Sequence, residues 1–239
     1  MVKPLRSSHI IPDFLLSEVE EGIPKGKSRQ EQPHIRLVNF KTLEDIYCFQ
    51  KETVYNKEGL KEFLLCSDCE QRLALGENYT RRVLYGKKKK KEHTRATKSK
   101  IWYKNSGGRI FQEGLEIRWV EFKHFKQFQV GLIWKMCVAT GNFFKEATAS
   151  EEIVENMRNS LNSGSFDEKL VPCVMERLHD PTGASLEIIG QPKRNEKIIH
   201  VMMGGYIWLY FIDGIVPSGE ITLQKNGKLL IKIIDAKEL

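Results

Sequence analysis

Leu64-Leu65-Cys66-Ser67-Asp68-Cys69-Glu70 closes an apolar run and opens a segment of helical periodicity, and how it is read decides the architecture of the N-terminal third of the chain. Two cysteines separated by two residues suit a tight turn that aims both thiolates at one metal ion, and tetrahedral zinc takes four ligands of this kind. Cys66 and Cys69 read either as half of a zinc knuckle or as two small buried residues. Partners have to come from elsewhere, and Ser8-His9-Ile10-Ile11-Pro12 offers His9, with His34 and Cys48 as other donors.

Working outward from the knuckle, Leu60 to Leu65 reads as an extended lead-in after the turn signal Asn56-Lys57-Glu58-Gly59. On its other side Leu73, Glu77, Thr80 and Leu84 recur at helical spacing, which predicts a helix to about Tyr85, ended by Gly86. Further upstream, Pro12 can open a short amphipathic helix carrying Phe14, Leu15 and Val19, residues 22–33 read as a loop, and 34–40 and 45–49 read as strands. Downstream, Arg81 to Lys104 holds eleven Lys or Arg (Arg81, Arg82, Lys87, Lys88, Lys89, Lys90, Lys91, Arg95, Lys98, Lys100, Lys104) against the single acid Glu92. The whole chain carries only +7, so the rest is slightly acidic and the positive field belongs to one segment. Residues 87–110 are therefore expected as an exposed basic loop that would draw in a polyanion, with Trp102 and Tyr103 available for stacking.

Leu115 to Val120 alternates as a strand. Phe122 to about Thr140 is the most apolar helical stretch, with Phe125, Phe128, Leu132, Ile133 and Met136 too numerous for a surface helix. Ser150 with Glu151 and Glu152 marks the start of another helix, reaching about Leu161. Beyond Leu170 the period falls to two, in runs 171–178, 185–189, 198–203, 206–212, 220–223 and 229–234. Asp180-Pro181-Thr182-Gly183 and Asn226-Gly227 supply hairpin chemistry, and Gly204-Gly205 reads as a bulge. The expected fold class is α+β: a ββα-type zinc-knuckle module over 1–86, the basic loop over 87–110, and a central apolar helix with a C-terminal antiparallel sheet over 111–239.

Composition narrows the classes further. With 239 residues, 41% of them hydrophobic, the chain can bury a full core. No run is long and apolar enough to span a membrane, no secretory pattern opens the sequence, and five cysteines fit reduced thiols better than a disulfide framework, so a cytoplasmic protein without membrane contact is expected. A thioredoxin-like use of the C-x-x-C lacks its βαβ context.

Ser8-His9-Ile10-Ile11-Pro12 and Leu64-Leu65-Cys66-x-x-Cys69-Glu70, followed in order by Gly131-Leu132-Ile133-Trp134-Lys135-Met136 and Gly204-Gly205-Tyr206-Ile207-Trp208, resemble a family of largely uncharacterised bacterial proteins with a degenerate HNH-type zinc module. The resemblance implies a nucleic-acid-acting protein, a metal-dependent nuclease effector of bacterial antiviral defence or of a mobile element. It places His9 as general base, Glu70 as a ligand for Mg²⁺ or Mn²⁺, and Cys66 with Cys69 as the structural zinc knuckle. Lys61 stands where such modules keep an Asn, as a phosphate contact, and Ser8 stands where they keep an Asp or His. The alternative is a non-catalytic subunit that binds nucleic acid or an acidic protein partner through Arg81, Arg82, Lys87 to Lys91, Arg95, Lys98 and Lys100.

Overall fold

The computed structural model describes residues 4–12, 14–15, 36–38, 52–54, 60–86, 95–105, 108–179, 188–218, 220 and 222–235. The architecture is α+β. Strand β1 (Arg6–His9) pairs antiparallel with β4 (Lys61–Leu65), and β4 runs straight into helix α1 (Ser67–Tyr85). Short strands β2 (Arg36–Val38) and β3 (Glu52–Val54) lie between them in sequence, and β2 pairs parallel with β8 (Ile188–Gly190).

The main sheet has seven strands in the order β5-β6-β12-β7-β11-β10-β9. Its members are β5 (Arg95–Asn105), β6 (Gly108–Arg118), β7 (Cys173–His179), β9 (Lys193–Asn195), β10 (Ile198–Met203), β11 (Tyr206–Phe211) and β12 (Leu229–Asp235). It is mixed rather than antiparallel throughout, because β12 inserts between β6 and β7 and runs parallel to β7.

Three expectations are corrected here. Residues 95–105 are a strand and not part of a basic loop: Thr97, Ile101, Trp102 and Tyr103 have β propensity, and the long hairpin with β6 uses it. Residues 204–205 form no bulge; Gly204 and Gly205, at φ +59° and +75°, are the two-residue turn joining β10 to β11, a conformation that glycine adopts without strain. Residues 220 and 222–223 carry no strand. The expected strand at 45–49, the run Lys87 to Lys91 and the hairpin signal at 180–183 lie outside the described residues.

Helix α2 (Phe122–Val138) is the centre of the molecule, as its composition predicts, and eleven of its residues are buried. Helix α3 (Glu151–Ser163) starts on the expected cap, with Ser150 Oγ accepting from the Ile153 N–H at 3.4 Å, and ends on Gly164 in the left-handed region. One continuous apolar cluster joins Ile10, Ile11 and Leu15 of the N-terminal part to Phe125, Phe128 and Ile133 of α2 and to Trp208 and Tyr210 of the sheet. The boundaries expected at 86 and 110 therefore do not separate the core. Among the described residues no helix is long and apolar enough to cross a membrane.

Candidate functional site

The β1–β4 ladder distributes the sequence-predicted residues. In its register His9 faces Lys61, Ser8 faces Glu62 and Arg6 faces Leu65, with an irregularity between Arg6 and Ser7. The Ile10 N–H donates to the Leu60 carbonyl at 2.9 Å, and Ile10 and Ile11 are wholly buried, so the apolar half of the Ser8–Pro12 motif is core. Ser8 is also buried, its hydroxyl donating to the carbonyl of Arg6 at 3.2 Å.

His9 and Lys61 are brought together at one end of the ladder, and Cys66 leaves its other end. With about 3.3 Å of rise per strand residue, Lys61 and Cys66 are separated by roughly 16 Å. Bonds of about 2.0 to 2.3 Å to one zinc ion cannot bridge that gap, so His9 does not complete the knuckle.

The two cysteines are themselves brought together. Cys66 is the N-cap of α1, and its Sγ lies 3.5 Å from Cys69 Sγ. Two thiolates on one tetrahedral zinc sit roughly 3.8 Å apart, so the pair is set close to the geometry it would need. The backbone N–H of Cys69 and then the Cys69 thiol lower the pKa of Cys66, whereas burial raises that of Cys69. An acidic Cys66 is the thiol readier to ligate a metal. Among the described residues no cluster of three or more His, Cys, Asp or Glu is arranged to hold a metal ion, and His34 and Cys48 lie outside them. Beside the pair is a mostly apolar hollow of about 220 Å³ whose walls include Leu5, Leu65, Trp134 and Leu161.

Glu70 and Asp68 occupy the first turn of α1, where the helix dipole favours negative charge. Farther along the same helix Arg81 and Arg82 are exposed, with the Arg82 guanidinium 5.9 Å from the centre of the Tyr79 ring. Arg95, Lys98 and Lys100 stand opposite Arg118, Leu115 and Glu113 in the β5–β6 register.

Sequence reasoning missed the group that fixes His9. Lys135 of α2 is almost fully buried, and its Nζ donates to the His9 carbonyl at 2.9 Å and to Glu77 Oε1 of α1, also at 2.9 Å. One ammonium thus ties the end of β1 to α1 and α2 together. The available signal was a lysine among apolar residues in the last turn of an apolar helix, a position that is tolerated only when the charge is paired. No family model, no curated protein and no solved structure matches the chain.

Proposed function

We propose that the chain is a nucleic-acid-acting protein built around a degenerate HNH-like unit, in which His9 activates water and Glu70, at the knuckle end of the ladder and about two helical turns before Glu77, binds a divalent cation at a separate phosphate. The observation that supports this reading is the order of parts: His9 ends the first strand of an antiparallel pair, Lys61 faces it, and the second strand leads through the knuckle into a helix with Glu70 in its first turn. Mg²⁺ or Mn²⁺, which prefer oxygen ligands, would supply charge neutralisation to the phosphate backbone at the Glu70 end of the unit. Lys61 contributes a phosphate contact in place of an amide, Cys66 and Cys69 hold the helix start, and Arg81, Arg82 and the cations from Lys87 to Lys100 attract the polyanion. A setting in bacterial antiviral defence or a mobile element rests on the motif resemblance.

Plasmid, single-stranded DNA and RNA incubated with Mg²⁺ or Mn²⁺ provide the test, beside His9→Ala and Glu70→Ala. Loss of cleavage by about 100-fold or more is expected in His9→Ala, and a smaller loss in Glu70→Ala. The second reading, a binding subunit without catalysis, is favoured by Lys61, since an ammonium does not orient water as an amide does. It predicts salt-sensitive binding without cleavage. Elemental analysis for zinc tests the knuckle, which is discarded if zinc is absent and Cys66→Ser leaves Tm unchanged.

A further inference from the structure

Strand β6 ends at Arg118, and Trp119 then takes φ +60°, a left-handed backbone that a bulky side chain adopts only at a cost. Its neighbours hold it there. Val120 is buried, and its N–H donates to the Gly227 carbonyl at 2.9 Å. Gly227, at φ +78°, lies so close that a Cβ on it would stand 2.7 Å from the Val120 carbonyl oxygen. Yet Trp119 itself is 60% exposed. The residue combines backbone strain with an uncovered indole, and a glycine at this position would avoid both. Neither feature serves the core.

The surroundings are charged. Trp119 borders a hollow of about 250 Å³ formed with Glu116, Arg118, Asn226, Gly227 and Lys228. The nearly buried Glu116 carboxylate accepts from Arg118 Nε and lies 3.4 Å from Lys228 Nζ. Those three groups together leave one positive charge. Arg95 is the register partner of Arg118, which adds a further cationic residue at this end of the β5–β6 hairpin.

We infer that Trp119 is a stacking platform for an unpaired base of a single-stranded nucleic acid, with Arg118 and Lys228 beside it for the phosphates. A flat π face next to cations matches a base carrying its backbone, and one such stack contributes about 5-fold to 150-fold in affinity. A duplex does not offer it, because paired bases already cover one another's faces. The inference rests on the nucleic-acid part of the proposed function and is independent of cleavage at His9.

Fluorescence anisotropy of labelled oligo-dT and of a duplex of equal length tests it, using full-length protein at fixed salt. Trp119→Ala and Trp119→Gly are expected to weaken oligo-dT binding by about 5-fold or more and to leave duplex binding within about 2-fold, while Trp119→Phe keeps most of the affinity. Trp119→Gly is also expected to raise Tm by about 2 to 4 °C as the strain is relieved. Unchanged oligo-dT affinity in both variants, beside a loss in Arg118→Gln/Lys228→Gln, overturns the platform and keeps nucleic-acid binding. A fall in Tm for Trp119→Gly shows that the indole is structural and also overturns it. If neither nucleic acid binds the unaltered protein, the platform and the nucleic-acid reading fail together. Cleavage lost in His9→Ala with oligo-dT binding intact supports both.

Discussion

Helix α2 is buried from two sides by different chemistry. Toward the sheet it presents aromatic surface: Phe128 meets the Trp208 ring at 5.6 Å between centroids, and Trp208 has no exposed area. Toward β1, β4 and α1 it is held by directed polar bonds. Lys135 reaches His9 and Glu77, Gln127 Nε2 donates to the Arg72 carbonyl at 3.0 Å, and the Glu121 N–H donates to the Tyr79 hydroxyl at 2.6 Å. Glu62 of β4 then receives both the N–H and the hydroxyl of Thr140 and the N–H of Gly141, where the chain leaves α2. Apolar burial supplies most of the stability and is indifferent to register, whereas the polar side fixes where His9 and α1 sit.

The sharpest way to break the contrast is to remove one anchor from each side. Trp208→Ala should cost about 4 kcal/mol, from lost burial and the cavity left behind, measured by urea denaturation. Lys135→Ala should cost about 3 kcal/mol, because it leaves the Glu77 carboxylate and the His9 carbonyl without their shared donor. The two differ in rescue. Adding Glu77→Gln to Lys135→Ala should restore part of the loss, since it removes the stranded charge, whereas no polar change restores Trp208→Ala. If the Lys135 and Glu77 effects simply add, the polar side is not a coupled network.

A smaller effect tests how closely α1 lies on α2. A Cβ at Gly76 would stand 2.9 Å from the His124 carbonyl oxygen and 3.0 Å from the Phe128 nitrogen. Alanine gains about 1 kcal/mol of helix propensity, but these are backbone atoms that cannot rotate away. Gly76→Ala should therefore destabilise by about 1 to 2 kcal/mol in the same assay, and a gain in stability would show that the helices can move apart.

The two sides also differed in how far the sequence revealed them. The apolar side was legible because hydrophobic periodicity reports it: α2, the Ser150 cap of α3 and the strands at 198–203, 206–211 and 229–235 stand close to where the pattern put them. The parallel placement of β12 beside β7 was not, since strand order depends on long-range packing that no local period encodes. At the candidate site, the β4-to-α1 passage and the close approach of Cys66 and Cys69 could be read from spacing alone. Pairing of His9 with Lys61 could not, because some fifty residues separate them and register is a tertiary property. Lys135 was hidden by its own surroundings, since nothing in an apolar helix that also carries Lys123 and Lys126 says which lysine is buried against a carboxylate.

The smallest effect at neutral pH, and the one most specific to its residue, concerns the other lysine buried in α2. Lys126 Nζ donates to the carbonyls of Val171 at 3.2 Å and Glu168 at 3.4 Å, without a carboxylate bonded to it as Lys135 has. Burial lowers its pKa from 10.5 to about 8, against the opposing influence of Cys173, Asp167 and Glu168. Between those values the unfolded chain holds a proton that the folded chain has released, so stability rises with pH in this window. The buried thiols act the other way. Burial pushes Cys137 from 9.0 to about 12 and raises Cys173 as well, so above about pH 9 the unfolded state gains by ionising them. From pH 8 to 9 the gain of about 1 kcal/mol from Lys126 is offset by about 0.7 kcal/mol from the two thiols, so Tm should climb by about 1 °C over that step and fall beyond it. Lys126→Met should be close to neutral at pH 7, where relief of the buried charge offsets two lost hydrogen bonds, and should abolish the climb while keeping the fall. A Lys126→Met protein that still gains stability between pH 8 and 9 would place the titrating group elsewhere and remove the distinction drawn between the two lysines.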